Sequence, residues 1–589
     1  MCARLQTQIL PFIVIPFLVA SAYAATPIIK SVTIVGNSAF STREVLGWLS
    51  SKESLDYSEM VLKSDQRTIV QEYHRLGYFD ARIDSIGAVL DLDSSFVELT
   101  IFIYEGRQTV VGSLKMNGQK SLTETEILDV FDTRIGSPLD ASVLERDIDA
   151  LLAGYEDIGY PFAHCQVAAM VERAGDEHDF LDIVLSIDEG DRITIDEIRV
   201  EGNTETDASV VVRETRLGVG EVFDPVKINA IRQRLKRLNI FANVSEPQLY
   251  MRGDKGGLLI KVQEGNTNTF DGVIGYIPGT SSGESGFVTG LASISMRNLF
   301  GTGRKLSLRW QREDRFSQEL GIRYLEPWIF SLPVNIGGGF FQRKQDTSYV
   351  RRIFDLKSEL MISEELSVGL LFSTENVIPS SDSTISRVFR SSTVTVGGEL
   401  QYDTRDDIYS PTSGARYRTD YQYGRKRISS IPASLASLVA EKVTVQRFSL
   451  DLDFFLSTFS RQVFAFGFHG RELRSGQIDE SEMFRLGGTN SLRGYRENQF
   501  LGSRVAWSNT EYRFLMARRS FIYGFIDTGY YMRVADDVRG IPKIDAFKYG
   551  YGIGVQLETG LGNLGVSFAL GEGDSFSKGK VHFGLINEF

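Results

Sequence analysis

From residue 266 to its end, the chain is written largely in a period of two. In "RKLSLRWQR" (Arg304–Arg312) Leu306, Leu308 and Trp310 fall on one face, and Ser307, Arg309 and Gln311 on the other. In "VTVQRFSLDLDFF" Phe448, Leu450, Leu452 and Phe454 oppose Arg447, Ser449, Asp451 and Asp453. The last segment, "KVHFGLINEF", puts Val581, Phe583, Leu585 and Phe589 opposite Lys580, His582 and Glu588. Such alternation requires strands with one apolar and one polar face. Alternation alone leaves two folds open. In a soluble sandwich the polar face meets water; in a membrane barrel the apolar face meets lipid and the polar face a wet lumen.

The length of the segments and the aromatic end, Phe589, favour the barrel, and so does the N-terminus. "MCARLQTQILPFIVIPFLVASAYAAT" carries Arg4, an apolar run from Ile9 to Ala20, and small residues at Ala22 and Ala24. This predicts a secretory signal over 1–25. The apolar run is shorter than the ~20 residues of a spanning helix. Cys2 would leave with the signal, so Cys165 has no intramolecular disulfide partner. No other segment is long and apolar enough for a membrane helix. An exported chain without one is soluble outside the cytoplasm or crosses the membrane as a closed β-barrel. At ~20 residues per strand and turn, the region 266–589 predicts about sixteen antiparallel strands. A net charge of −12 argues against nucleic acid. The 56 glycines, 14 prolines and 11% aromatic residues suit strands joined by tight turns.

Ahead of this region lies a threefold repeat. Each unit opens on a strand and a Gly/Asn turn: "SVTIVGNSAF", "VGSLKMNGQKSL" and "IDEIRVEGNTET". Two helical stretches follow. In the first two units the second helix ends in an aromatic motif, "YHRLGYFDARI" (Tyr73–Ile83) and "YEDIGYPFAHC" (Tyr155–Cys165). The third, "RLKRLNIFANV", keeps the apolar spacing without the Gly-Tyr. Each unit closes on an apolar strand and Glu-Gly, at Glu105, Glu189 and Glu264. The units are 26–107, 108–190 and 191–265, each an α+β domain of order β-α-α-β-β. This resembles the POTRA domain, a periplasmic module that precedes outer-membrane assembly barrels. Its open sheet edge would accept an extended client segment; a rigid spacer is the plainer alternative.

Strand parity assigns sides. With the repeats in the periplasm, every second connection is periplasmic and short, including "NLFGTG" (Asn298–Gly303) and "EPWIFSLP" (Glu326–Pro333). The stretches near Asn376–Arg390, Lys426–Glu441 and Arg474–Phe500 become outer loops. The last of these contains "LGGTNSLRGYRENQF", long enough to fold into the lumen. Gly487, Gly488 and Gly494 permit a tight tip. Arg493 at such a tip needs an anion. Asp527 in "FIYGFIDTGYY" shares a face with Tyr523 and Phe525, and Glu511 shares one with Asn509 and Arg513. The expected arrangement is an Arg493–Asp527 pair supported by Glu511. A solvated arginine on an outer loop is the alternative the residues leave open.

"SLRGY" is similar to the lumen-loop motif of the BamA/TamA outer-membrane assembly superfamily, and "FIDTG" to its Phe-x-Asp-x-Gly strand motif. "NLFGTG", "YLEPW" and "DTRDDIYSPTSG" also resemble family barrel turns, in order along nearly the whole chain. The resemblance implies a lumen-loop lock of Arg493, Gly494, Tyr495, Asp527, Glu511 and Gly488. It also implies a weak seam between the first and last strands, marked by Gly272, Gly275 and Phe589, that opens to template a client. Glycine there is equally consistent with ordinary strand curvature. Three repeats, with no room for a plug helix ahead of them, resemble TamA. The implied partners are unfolded outer-membrane clients, the lipid bilayer, and a TamB-like inner-membrane protein or assembly lipoproteins. The alternative function is a two-partner-type secretion pore exporting one dedicated protein.

An enzyme is not expected. The histidines at 74, 164, 178, 469 and 582 have no metal-ligand spacing, and no metal or cofactor is implied. "GTGRK" lacks the P-loop spacing and hydroxyl residue. There is no G-x-S-x-G nucleophile elbow.

Overall fold

A computed structural model describes residues 26–589 apart from 278–286, 313, 347, 380–387, 409, 432–434, 518, 537–539, 560–561 and 587–589. The expected signal at 1–25 and the terminal Phe589 therefore lie outside the described residues. The chain falls into two compact units, Met1–Ile193 with Val222–Asp224, and Thr194–Glu221 with Pro225–Phe589.

The first unit contains two copies of one β-α-α-β-β design. In the first copy these elements are Ile28–Val35, Thr42–Trp48, Glu59–Arg75, Arg82–Leu90 and Phe96–Tyr104. The last strand is central. It pairs in parallel with the first and antiparallel with the second. The short helix begins at a capping box, Ser41 with Glu44, repeated as Thr123 with Glu126 in the second copy. The long helix buries Leu62, Ile69 and Tyr73 at helical spacing, matched by Leu144, Leu151 and Tyr155. A buried aspartate on that helix, Asp65, accepts hydrogen bonds from Ser50 N and Ser51 N, both at 2.8 Å. Asp147 does the same for Asp132 N and Thr133 N.

The Gly/Asn turn and the closing Glu-Gly meet in space. A Cβ at Gly36, Gly118 or Gly202 would sit 2.1, 2.0 or 1.9 Å from the carbonyl oxygen of Ile103, Ile187 or Val262 on the closing strand. Each glycine also has a positive φ of 90–99°, so no larger residue fits. The turn beyond it donates to the glutamate. Glu105 accepts from Ser38 N, Ala39 N and Tyr73 Oη. Glu189 accepts from Lys120 N, Ser121 N and Tyr155 Oη. Burial opposes ionisation of Glu189, but these donors outweigh it and lower its pKa.

The third repeat departs where its sequence does. Leu235 replaces the tyrosine, and Glu264 is served instead by Thr204 N, Thr204 Oγ1, Glu205 N and Thr206 N. Burial again opposes ionisation, yet the threonine and backbone donors hold Glu264 at about 2. Asn239 stands where the earlier units have Gly77 and Gly159, and shares their positive φ. The edge strand is split into Phe241–Val244 and Gln248–Arg252, around Pro247, which has no N–H to donate.

The rest of the second unit is a sixteen-stranded antiparallel sheet running in sequence order from Asn268–Ile277 to Lys580–Ile586. A small hairpin, Phe484–Leu486 with Phe500–Gly502, interrupts the order between the eleventh strand (Gln462–Ser475) and the twelfth (Arg504–Ala517). The two faces decide between sandwich and barrel. On Arg390–Asp403 the polar Ser391, Thr393, Thr395 and Glu399 are buried, while Val394, Val396, Leu400 and Tyr402 are exposed. Apolar outside and polar inside is the pattern of a barrel in lipid. The interior charges are paired: Glu375 receives Arg351 and Arg447 at 2.9 and 2.6 Å, and Glu399 receives Lys357 at 2.6 Å.

The short turns lie beside the third repeat, as parity predicts. Asn298 Nδ2 donates to Thr206 Oγ1 at 2.9 Å, and Trp328 Nε1 donates to Glu214 at 2.7 Å. Glu364 accepts from Arg216 and Arg234 at 3.2 and 2.7 Å. The long connection between the eleventh and twelfth strands is at the opposite end.

Candidate functional site

That connection turns inward. Its base is pinned by the hairpin and by Lys426 of the ninth strand (Gly414–Ser429), which donates to Asp479 and Glu482 at 3.1 and 2.5 Å. All three side chains are buried. Arg485 reaches across the interior to Gln345 and Tyr349 at 3.3 and 3.2 Å. Leu486, Leu492, Tyr495 and Val505 form an apolar cluster with Phe484, Phe500, Trp507 and Tyr531. The tip is shaped internally by Gly488 N donating to Leu492 O and by Glu497 accepting from Thr489 N and Oγ1.

Arg493 is 6% exposed and Asp527 fully buried. Arg493 Nε and Nη2 donate to the two oxygens of Asp527, both at 2.7 Å, and its backbone N–H adds a third bond at 3.0 Å. Nη1 donates to Glu511 at 2.8 Å. The guanidinium carbon lies 3.6 Å from the centre of the Phe525 ring, a cation–π contact with water excluded. The fork of an arginine suits this bidentate recognition, and lysine does not reproduce it. Glu511 is shared with Arg513 at 2.9 Å. The structure thus brings Arg493, Asp527 and Glu511 together.

Gly494 has φ +93°, and a Cβ there would lie 2.7 Å from both Leu570 O and Gly571 N. These are backbone atoms that cannot step aside. Its N–H donates to His582 Nε2 on the last strand at 3.0 Å. Tyr495 Oη donates to Tyr549 O at 2.9 Å and accepts from Glu572 N at 3.0 Å. Gly488 lies in the same loop with φ +97°. The tip therefore touches the twelfth strand, the thirteenth (Ser520–Arg533), the fourteenth (Ile544–Thr559), the fifteenth (Gly562–Gly571) and the sixteenth. Gly272 and Gly275 lie elsewhere, on the first strand, opposite Ala292 and Thr289 of the second.

The sequence reading missed four contributors. His582 receives the tip's N–H. Asn509 donates to Ser491 O and Asp527, both at 2.8 Å. Glu497 organises the turn. Gly550 leaves space for the Arg493 carbonyl, which would be 1.9 Å from a Cβ there. Two had a signal: Asn509 shares the polar face of its strand with Glu511, and His582 sits on the polar face of the last strand, opposite the exposed Val581 and Phe583.

Residues 298–589 match the Omp85 superfamily domain, and residues 27–106, 109–190 and 193–265 match the POTRA family. An outer membrane protein assembly factor BamA from Nitratidesulfovibrio vulgaris is 25% identical over 508 residues, 80% of this chain and 60% of that protein. The BamA of Neisseria meningitidis is 24% identical over 337 residues, 54% of this chain and 41% of that one. The chain thus spans about half the length of these curated relatives. Among solved structures, Haemophilus ducreyi BamA lacking POTRA domains 1–3 aligns with 17% identity and a TM-score of 0.48, covering 80% of this chain and 98% of that one. With its repeats in the periplasm and its barrel in the outer membrane, the chain belongs to the Omp85 superfamily.

Proposed function

We propose that the protein is an outer-membrane assembly factor. The repeats, taken as 26–107, 108–190 and 191–265, receive unfolded barrel clients, and the barrel's terminal strands template their insertion. The observation that carries this is the hydrogen bond from Gly494 to His582. It fastens the Arg493-anchored loop to the closing strand, so the twelfth to sixteenth strands form one braced wall ending at a sheet edge. Among the described residues, the first and last strands each pair on one side only. That arrangement supports a seam whose last strand is held in shape for pairing with a client.

The outer strands of the first two repeats support client capture. Arg82–Leu90 and His164–Arg173 have largely exposed side chains, and each has one described neighbour. Such edges accept an added strand. A periplasmic partner, whether a TamB-like protein or an assembly lipoprotein, would compete for the same edges. The process needs no cofactor in this reading, because client folding and apolar burial in lipid drive insertion.

The test is the rate at which an unfolded barrel inserts into liposomes containing the purified protein. Acceleration that is lost with Arg493→Ala supports the reading. No acceleration, with steady conductance across a planar bilayer, would replace it with a two-partner-type secretion pore.

A further inference from the structure

The lipid-facing wall is apolar along most of its height, but one sector of its outer rim is basic. In the fifth to tenth strands (Val334–Gln345, Tyr349–Met361, Leu366–Pro379, Arg390–Asp403, Gly414–Ser429 and Lys442–Phe459) the registers align three successive rows of outward residues. One row runs Phe340, Phe354, Thr374, Val394, Arg425, Thr444. The next runs Gln342, Arg352, Asn376, Ser392, Arg427, Lys442. Lys344 pairs with Val350, and Arg390 with Ser429, in the row beyond. Lys344, Arg352, Arg390, Arg425, Arg427 and Lys442 are all exposed, and these rows contain no aspartate or glutamate. Arg352 donates to Gln342 at 2.9 Å. Among the described residues, no carboxylate forms an ion pair with Arg352, Arg390 or Arg427.

Within this sector is a groove of about 520 Å³. Phe340, Phe354 and Ile378 are among its apolar lining, and Arg352, Arg390 and Arg427 surround them. It lies at the strand ends away from the third repeat, directly above the exposed Phe372, Val394 and Val396. The protein carries a net charge of −12, so an unopposed cationic sector is not a consequence of composition.

We propose that this sector binds a phosphate-bearing lipid of the outer leaflet, with the arginines on the headgroup phosphate and the acyl chains against the aromatic and aliphatic floor. Guanidinium groups suit phosphate oxygens. The occupant is a lipid rather than a free anion because the groove is continuous with the surface that meets acyl chains. Lys442 and Arg425 flank the arginines and widen the positive field along the rim.

The experiment is native mass spectrometry of the purified full chain in detergent micelles, titrated with bisphosphorylated lipid A, dephosphorylated lipid A or inorganic phosphate. The variant is Arg352→Gln/Arg390→Gln/Arg427→Gln. The charge-matched control is Lys30→Gln/Lys63→Gln/Arg75→Gln on the first repeat. The wild type and the control should retain the phosphorylated lipid, and neither should retain the dephosphorylated one. The rim variant should lose roughly a hundredfold in retention, since each of the three cations near an anionic surface contributes about fivefold. Heat-modifiable migration checks that the barrel is folded; if the triple variant fails it, Arg390→Gln and Arg427→Gln singly carry the same comparison. Equal retention by a folded rim variant, equal retention of the dephosphorylated lipid, or displacement of the lipid by inorganic phosphate would each overturn the proposal.

Discussion

Replacing Arg493 with alanine removes one cation from two buried carboxylates. Asp527 loses its bidentate partner, two bonds at 2.7 Å, and Glu511 loses one of its two arginines. Breaking a buried pair from one side costs about 3–5 kcal/mol, because the remaining charge stays out of water. The lost contact with Phe525 adds to that. At about 1.4 kcal/mol per factor of ten, the open population of the loop should rise roughly a hundredfold to several thousandfold. Hydrogen exchange at the Gly494 amide reads this directly, since that N–H is bonded to His582 only in the locked state. Asp527→Asn keeps the shape and one oxygen acceptor, so its effect should be smaller. The double variant should fall well short of additivity, because both changes remove the same interaction. Wild-type exchange in Arg493→Ala, or full additivity in the double variant, would refute the reasoning.

Further tests address the rest of the molecule. Gly118→Ala should destabilise the second repeat by more than about 1 kcal/mol, whereas Gly154→Ala, at an open helical site, should stabilise it by about 0.5–1 kcal/mol; limited proteolysis of the full chain compares them. Glu264 is held at about 2 when folded. A lowered folded value gives stability that is complete above the unfolded pKa of about 4.3 and lost as pH falls towards 2. Glu264→Gln should flatten that window when third-repeat protection is followed by hydrogen exchange. Glu364→Ala removes the acceptor shared by Arg216 and Arg234, and protection of the Pro225–Arg237 helix should fall. Lys426→Met leaves Asp479 and Glu482 buried without their cation, so protease cleavage within 476–483 should rise by an amount matching about 3–5 kcal/mol; adding Asp479→Asn and Glu482→Gln should recover part of the loss.

The barrel was legible because lipid inverts the usual rule. A strand such as Arg390–Asp403 must place every second residue in hydrocarbon, so its alternation shows in the sequence, but a sandwich shows the same alternation, and segment length, the N-terminal signal and the aromatic end were needed to favour the barrel. The Arg493–Asp527 pair was legible through the family motif: the residues alone left a solvated arginine open, and the likeness of "SLRGY" and "FIDTG" to one loop and one strand joined Arg493 to Asp527. His582 is 88 residues from the glycine it receives, and nothing local ties the two together. In the sequence Glu105, Glu189 and Glu264 mark only the end of each unit. Their work is three-dimensional, closing the Gly/Asn turn from a strand some sixty to seventy residues away. The split edge strand of the third repeat had a sign in Pro247, which a reading by homology with the first two units passes over.

The charged interior explains why one loop needs two anchors. Arg493 ties the tip to the twelfth and thirteenth strands, and Lys426 ties the base to the ninth through Asp479 and Glu482. An anchor at the tip alone would leave the chain before it free to swing about the hairpin. An anchor at the base alone would leave Gly494 free to depart from His582. With both, the loop bridges the ninth strand and the last, and any movement of the closing strand must either break the Gly494–His582 bond or carry the loop with it. The bond is a single neutral one, worth about 0.5–1.5 kcal/mol, against several kcal/mol for either ionic anchor. The weak joint is therefore the one to the last strand. In the proposed function this lets the last strand part from the tip while the loop stays anchored to the ninth, twelfth and thirteenth strands.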